Sequence, residues 1–205
     1  MNYRSFFAAC ALGALISAPA AGQSVTYAVD ITHSSFVFSA NHLGYTNVFG
    51  LFRDWGGEFT FDPAAPEKAT VKIEVKTESI DTNDRRMQAQ GGRRGRDEHL
   101  RSADFFNVKE FPTMTFQSTK VEKTGEKTGK LHGNLTLLGQ TKPAVFDVTF
   151  HKVAPHPVPA YNKAMTSGFS IRGTIKRSDW GMKFGVPGVS DEIALFIEIE
   201  AQEKK

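Results

Sequence analysis

The side chains that could do chemistry in this sequence are six histidines, some adjacent carboxylates and a run of arginines. The histidines lack the H-x-H or H-E-x-x-H spacing that gathers metal ligands locally; they are His33, His42, His99, His132, His151 and His156. Asp97-Glu98 and Asp191-Glu192 are direct neighbours, which is typical of solvated carboxylates. No G-x-S-x-G turn for a nucleophilic serine occurs. The sequence therefore predicts no metal site, no cofactor and no catalytic site.

The most charged segment lies between residues 85 and 101 and contains six arginines. Its glycines are not followed by the Lys-Ser/Thr pair of a phosphate-binding loop, and it lacks the aromatic residues on which nucleic-acid bases stack. Two interpretations of the part from Arg85 to Arg96 stay open: a solvated loop, or a patch that contacts an anionic membrane surface or a phosphate head group. With a formal net charge of only +3, the chain is not expected to bind nucleic acid.

Alternation of apolar and polar residues is the dominant pattern along the rest of the chain, and it predicts strands. In residues 70–77, for example, Val71, Ile73 and Val75 alternate with charged residues. One face of such a strand is dry and the other is wet. Turn residues separate the alternating segments, which predict eight strands at residues 34–40, 48–61, 70–77, 113–121, 130–137, 144–150, 168–176 and 192–201.

Helical periodicity is confined to residues 97–107, where one or two short helices are predicted. The remaining all-β domain can be a sandwich or a closed barrel, since both give strands with one apolar face. Phenylalanine dominates the aromatic residues, with 17 Phe against 4 Tyr and 2 Trp. Inward-facing glycines such as Gly133 and Gly173 would leave room inside. This favours a hollow barrel; a solid core in which glycine serves packing is the alternative.

Residues 1–22 have the organisation of a secretory signal peptide. Arg4 precedes an apolar run from Phe6 to Ala18 that is too short to span a bilayer, and small residues follow as at a cleavage site. Cleavage would remove Cys10, the only cysteine. The mature chain would then have no disulfide, thiol nucleophile or cysteine-based metal site.

Short motifs along the chain resemble those of the YceI-like family of periplasmic polyisoprenoid-binding proteins. They occur in order as Asp30-x-x-His33-Ser34, Gly50-x-Phe52, Ser79-Ile80-Asp81-Thr82, Arg96-Asp97-x-His99-Leu100-Arg101-Ser102-x-Asp104-Phe105-Phe106, Gly133-x-Leu135-Thr136-x-x-Gly139-x-Thr141-x-Pro143, Arg177-x-Asp179-x-Gly181-Met182 and Asp191-Glu192-Ile193. The likeness covers nearly all of residues 23–205, which we take as one domain. Two departures are a longer, more basic segment from Arg85 to Arg96, and Trp180 where phenylalanine is common.

The resemblance implies an eight-stranded antiparallel lipocalin-like β-barrel whose apolar pore holds an isoprenoid chain, such as the tail of a quinone or a polyprenyl-type amphiphile. It also implies a periplasmic location, a homodimer and no enzymatic activity. Transport, storage and sequestration of the lipid are all compatible with it. The alternatives are an enzyme of isoprenoid or lipid metabolism that uses polar residues at the barrel mouth, and a stress-response protein with no bound lipid.

The residues expected to bind this ligand form two groups. The apolar wall is expected to come from Phe36, Phe38, Phe49, Phe52, Val71, Ile73, Val75, Met114, Phe116, Leu135, Phe146, Val148, Phe169, Ile171, Leu195 and Ile197, although many of them could be plain core. Candidates to meet a polar head group lie near strand ends or in the motifs: His33, His42, Asp81 and Arg96. For the two histidines the alternative is a hydrogen bond that fixes a strand end. Phe105 and Phe106 are expected to cover one end of the barrel.

Overall fold

The computed structural model describes residues 24–84 and 95–204. The predicted signal peptide and most of the segment from Arg85 to Arg96 lie outside these residues. The elements in chain order are β1 (Val25–Val29), β2 (Ser35–His42), β3 (Thr46–Phe52), β4 (Trp55–Phe61), β5 (Thr70–Lys76), β6 (Ile80–Asp81), α1 (Arg96–Arg101), β7 (Thr113–Lys123), β8 (Thr128–Leu137), β9 (Gln140–Pro155), β10 (Met165–Lys176) and β11 (Val189–Glu203). Short 3-10 helices lie at Pro66–Lys68, Thr77–Ser79, Pro159–Tyr161 and Arg177–Trp180.

The strands pair antiparallel in one sheet that closes on itself. Its order is β1-β4-β5-β7-β8-β9-β10-β11-β2-β3-β6, and β1 also pairs with β11. At each of three positions in the barrel wall, two strands that follow each other in the sequence lie end to end. These pairs are β1 and β2, β3 and β4, and β5 and β6. The eleven strands thus form a barrel with eight wall positions. The predicted all-β antiparallel barrel of eight strands is confirmed.

The three interruptions in the wall lie side by side, at residues 30–34, 53–54 and 77–79. Phe36 pairs with Phe52, and Phe52 with Ile80, on one side of this line. On the other side Trp55 pairs with Val75. The sequence predicts one strand over residues 48–61 with a bend at Gly56-Gly57; the ladder instead breaks at 53–54, because the two halves pair with different neighbours.

Alternation places one side of every strand in the interior, as the sequence predicted. The buried side chains form a single cluster that includes Phe36, Phe59, Phe116, Phe146 and Leu195. Helix α1 and the turns after it bring Phe105 and Phe106 to one end of the barrel, where Phe106 packs edge-on against Phe52 at 5.6 Å between ring centres. Among the described residues, no helix is long and apolar enough to cross a membrane.

The loop between β10 and β11 is fixed to the same end of the barrel by a buried arginine. The Arg177 guanidinium donates hydrogen bonds to the carbonyl oxygens of Ser190, Met182 and Val189 at 2.9, 3.1 and 2.9 Å. Its carbon lies 5.8 Å from the centre of the Phe105 ring. Burial lowers the pKa of Arg177, but arginine stays charged at neutral pH. The single guanidinium of Arg177 therefore satisfies three backbone carbonyl oxygens and fixes the loop to this end of the barrel.

A carboxylate on β11 fixes the 3-10 helix of the same loop. Asp191 accepts hydrogen bonds from the Ser178 backbone N–H at 2.8 Å and from the Ser178 hydroxyl at 2.7 Å. The bonds from the Ser178 hydroxyl and N–H lower the pKa of Asp191, against a smaller opposing effect of desolvation. A carboxylate with a lowered folded-state pKa stabilises the fold above its unfolded pKa of about 3.9, and the stabilisation is lost as pH falls through the folded value.

Asp191→Asn should therefore lower the free energy of unfolding by about 1 kcal/mol at pH 7, because the charged acceptor is lost. The difference from the parent should shrink below about pH 4 and vanish once Asp191 is protonated in the folded state. Urea unfolding at a series of pH values measures it. Asp147→Asn is the matched control, since Asp147 is exposed and its carboxylate forms a surface ion pair with Lys130. A difference that stays constant down to pH 2.5 would contradict this account.

A two-part apolar lumen as candidate functional site

One interior cavity, which we call the α1-end cavity, lies at the α1 end of the barrel and has a volume of about 140 Å³. Its wall comes from the inward positions of β2, β3, β5 and β7 to β11, and Leu100, Phe105, Phe106 and Met182 close it at the end. Apart from Thr115 and Arg177, its lining is apolar. Since the described contacts of the Arg177 guanidinium are with backbone carbonyls, the cavity can hold an apolar group and offers little to a polar one.

The second cavity, of about 150 Å³, lies towards the opposite end, near the β4–β5 and β7–β8 connections. Its interior part is lined by Phe59, Phe61, Phe150 and Phe169. Lys123, Glu126 and Lys127 also border it. Three charged side chains thus border this end of the lumen, whereas Arg177 is the one charged side chain on the α1-end cavity among the described residues.

Four residues line both cavities and mark where they adjoin: Val71, Leu131, Ile171 and Ile199. We call them the waist. Each cavity is about the size of the ~150 Å³ apolar cavities that stay dry and accept a benzene ring. One five-carbon unit fits this space, and a longer chain has to pass the waist to occupy both cavities.

Three phenylalanine rings of the α1-end cavity lie against glycines of the neighbouring strand. Phe38 covers Gly50, Phe116 covers Gly133, and Phe146 covers Gly173, each so closely that an added Cβ would collide with the ring. The sequence predicted that Gly133 and Gly173 leave room inside. In the structure a phenylalanine ring occupies the space that a side chain at each glycine would fill. Because the ring lies against the wall there, it fills less of the lumen.

Gly173→Ala should therefore push the Phe146 ring inward, because the new Cβ would lie 2.5 Å from Phe146 Cδ1. We expect a loss of about 1–3 kcal/mol in the free energy of unfolding, as for other overpacked cores, together with weaker binding of an apolar fluorescent probe. Gly168→Ala on the same strand is the control, since its Cβ would meet His151 Cβ at an ordinary 3.7 Å. Equal effects of the two substitutions, measured by urea unfolding, would contradict the proposed ring contact.

Most residues of the predicted wall do line the lumen. Val148 and Phe169 line the second cavity, Val71 and Ile171 line both, and the others line the α1-end cavity, with one exception. Phe49 is 57% exposed on the outer face of β3. The prediction was wrong there because Phe49 and Phe52 are three residues apart, and side chains an odd number of positions apart point to opposite faces of a strand.

The four predicted head-group residues line neither cavity. His33 Nδ1 lies 3.0 Å from Asp30 Oδ2, and His42 is exposed at the end of β2. Asp81 accepts hydrogen bonds from the Arg53 guanidinium, with Nη2 at 2.8 Å and Nε at 3.0 Å. Arg96 donates to the Thr82 hydroxyl at 2.6 Å and to the Thr82 carbonyl at 2.7 Å. Motif position and strand ends do not define which side chains face the lumen.

Sequence reasoning missed several lining residues. Ile175 and Ile193 continue the alternation of β10 and β11. The same period of two that indicates inward-facing positions for Ile171 and Leu195 therefore predicts them as well. Trp55 lies where the ladder of β3 and β4 breaks, and no simple period predicts it. Arg177 opens one of the motifs, but its residue type gives no sign of burial, because an arginine in sequence suggests a surface position.

Comparison with known proteins places this geometry among related barrels. A family model described as a YceI-like domain matches residues 27–201. A UPF0312 protein of Azotobacter vinelandii is 37% identical over 195 residues, which cover 94% of this chain and 95% of that protein. A crystal structure of a Campylobacter jejuni YceI protein superposes with a TM-score of 0.67 at 36% identity, covering 80% of this chain and 90% of that one.

A more distant structure shares the fold. It is described as a polyisoprenoid-binding domain from Saccharophagus degradans, with a TM-score of 0.60 and 12% identity, and the match covers 88% of this chain and 99% of that one. At this identity the likeness concerns the barrel alone.

Proposed function

Because the chain belongs to the YceI-like family, we propose that its lumen binds the isoprenoid chain of an amphiphile such as a quinone or a polyprenyl lipid. The observation that carries the proposal is the apolar lumen itself, with two cavities that adjoin at the waist. The solved Saccharophagus degradans domain, which is described as polyisoprenoid-binding, supports the same ligand class.

The energetics favour an oily chain in this space. Each buried methylene contributes about 0.8 kcal/mol, so one five-carbon unit offers roughly 3–4 kcal/mol. Ordering a flexible chain and desolvating its head group take back part of this sum. An apolar wall has no means to distinguish the units along such a chain, so chain length is selected by how far the chain can extend through the lumen.

Binding rather than catalysis is proposed on the polar side chains of the α1-end cavity. Thr115 and Arg177 are the polar side chains on this cavity among the described residues, and Arg177 donates hydrogen bonds to three carbonyls. An acid–base or nucleophilic mechanism needs a titratable group within hydrogen-bond reach of the reacting atom. The predicted mouth histidines, His33 and His42, lie off both cavities and do not supply it.

Lipid extraction tests the proposal directly. The full chain is purified from cells that export it, extracted with organic solvent, and analysed by mass spectrometry. We expect an isoprenoid amphiphile in near-stoichiometric amount. Protein that is unfolded, stripped and refolded without lipid should then take up an added isoprenoid alcohol. Absence of any amphiphile in the extract, together with no uptake by the refolded protein, would refute the function.

Location and cellular role are further parts of the proposal. We take residues 1–22 as a signal peptide that exports the chain to the periplasm, where it would carry, store or sequester the lipid. Contact with an anionic membrane surface would use the arginines from Arg85 to Arg94, since Arg96 is occupied by Thr82. Cell fractionation that finds the full-length chain in the cytoplasm would contradict the location.

The homodimer is proposed on an outer apolar patch. The exposed rings of Phe49 on β3 and Phe196 on β11 lie 6.4 Å apart between centres, and the Arg172 guanidinium carbon lies 5.7 Å from the Phe196 ring centre. A second copy of the chain would cover these rings. Sedimentation velocity of the parent and of Phe49→Ser reports whether a dimer forms and whether it depends on this patch.

A further inference from the structure

A cluster of metal-ligating side chains lies on the outer wall, apart from the lumen, at the junction of β1 and β2. It consists of Asp30, His33 and Glu200. His33 Nδ1 is 3.0 Å from Asp30 Oδ2 and 3.8 Å from Glu200 Oε1. The three ligand atoms all lie within 4.8 Å of one another.

The backbone fixes these residues in place. Here β11 changes partner, because Ala201 pairs with Val29 of β1 and Glu198 pairs with Ser35 of β2. Between those pairs, the Glu200 carbonyl accepts the Asp30 N–H at 2.9 Å. The Ser34 hydroxyl donates to the same carbonyl at 3.1 Å and accepts the Glu200 N–H at 3.0 Å. These main-chain bonds position Asp30 and Glu200, and the Asp30 carboxylate also accepts the Thr32 N–H at 2.9 Å and the Gln202 side-chain amide at 3.3 Å.

Charge at the cluster is unbalanced. Two carboxylates, of which the Asp30 side chain is 14% and the Glu200 side chain 33% exposed, face one imidazole. Within the described residues, the side chains that can form ion pairs with them are His33 and His156, and neither carries a permanent charge. Because the His33 side chain is 47% exposed, the cluster is open to an ion from solution.

We propose that Asp30, His33 and Glu200 bind a divalent transition-metal ion, for which zinc is the probe of choice. Zinc binds imidazole nitrogen and carboxylate oxygen at about 2.0–2.2 Å in a tetrahedral arrangement, so neighbouring ligand atoms lie roughly 3.3–3.6 Å apart. The separations of His33 from Asp30 and from Glu200, 3.0 and 3.8 Å, lie just below and just above this range, and small side-chain rotations bring both into it. The imidazole favours zinc over magnesium or calcium, which prefer all-oxygen sites.

His156 lies beside the cluster and is assigned a supporting role. Its Nε2 is 3.6 Å from Glu200 Oε1. The Val158 N–H donates to His156 Nδ1 at 3.1 Å, and a backbone N–H can only donate, so neutral His156 carries its proton on Nε2. That nitrogen faces Glu200 as a donor and is not free to bind a metal. Tyr161, whose ring centre is 3.9 Å from that of His156, packs against the imidazole.

Sequence reasoning predicted no metal site, because it searched for ligands with local spacing. Two of these ligands lie three residues apart in a turn, and the third is on the last strand. Closure of the barrel by β11 brings them together. A bound metal ion would therefore connect the turn between β1 and β2 with β11, where the barrel closes.

Calorimetric titration of zinc into the full chain, after removal of metals with a chelator, tests the proposal. All samples carry Cys10→Ser so that the thiol does not compete. We expect saturable 1:1 binding and a higher Tm with zinc. His33→Ala and Glu200→Gln should each weaken binding by more than about 100-fold, and His156→Ala by about 10-fold, as for an outer partner.

His151→Ala is the matched control, because His151 lies on the outer wall and is hydrogen-bonded to Ser170 at 2.7 Å. It should leave zinc binding unchanged. Glu200→Gln keeps the main-chain bonds of the junction, so an unchanged Tm without zinc shows that the fold persists. The proposal is overturned if no saturable binding is seen, if both ligand variants still bind, or if His151→Ala weakens binding as much as they do.

Discussion

Ile171→Phe is expected to abolish binding of a long polyprenol while leaving a short isoprenoid alcohol bound. Ile171 lines both cavities at the waist, and a bulkier phenylalanine ring at this position would block the passage between them. A long chain would lose the contacts of one whole cavity. At about 0.8 kcal/mol for each methylene, the loss of one five-carbon unit already weakens binding by more than about 100-fold. A short alcohol needs one cavity only and should bind nearly as before.

Competition with a fluorescent apolar probe measures both affinities. Val145→Phe is the control for adding a phenylalanine, since Val145 is exposed on β9. Ile171→Val keeps the waist open and should bind both ligands. Overpacking costs about 1–3 kcal/mol, so each variant is first shown to be folded by circular dichroism. Equal loss of long and short ligands in Ile171→Phe would show that the two cavities do not act in series.

Arg177→Met should cause a large loss of stability. It removes the donor to three carbonyl oxygens and the cation that lies over Phe105. A buried acceptor without a partner costs about 1–3 kcal/mol, and we expect a total loss of about 3 kcal/mol or more in the free energy of unfolding. Arg177→Lys keeps the charge but cannot reach three acceptors from one planar group, so it should recover less than half of the loss.

Urea unfolding with a linear extrapolation measures these values. Arg172→Met is the matched control: Arg172 is partly exposed and pairs with Glu198 on the outer wall, so the loss should stay below about 1 kcal/mol. If Arg177→Met costs no more than Arg172→Met, the loop from β10 to β11 is fixed by other contacts, and the role assigned to the buried arginine is wrong.

Much of the fold could be predicted from the sequence because a half-buried strand has a period of two. Residues 70–77 alternate strictly and contain β5, and in residues 192–201, which lie within β11, a large aliphatic residue recurs at every second position from Ile193 to Ile199. Alternation also identified most of the wall of the lumen. It failed at Phe49, where two phenylalanines three apart were assigned to the same face, and it passed over the break between β3 and β4.

Other features depend on pairing between distant strands, which a single sequence does not show. The burial of Arg177 follows from a loop folding back over the barrel end. The meeting of Asp30 and His33 with Glu200 follows from β11 changing partner between β1 and β2. The four expected head-group residues were chosen by their place in motifs, and motif membership does not give the direction of a side chain.

Where a phenylalanine ring packs against a glycine of the adjacent strand, the residue types allowed at the two positions depend on each other. Where Phe146 covers Gly173, alanine at position 173 needs a smaller neighbour at 146, and leucine at 146 leaves a gap over the glycine. The two substitutions made jointly should cost less than the sum of each alone, which is a measurable coupling energy. Relatives of this protein should therefore exchange such pairs in concert, so that covariation between the paired positions marks the wall of the lumen.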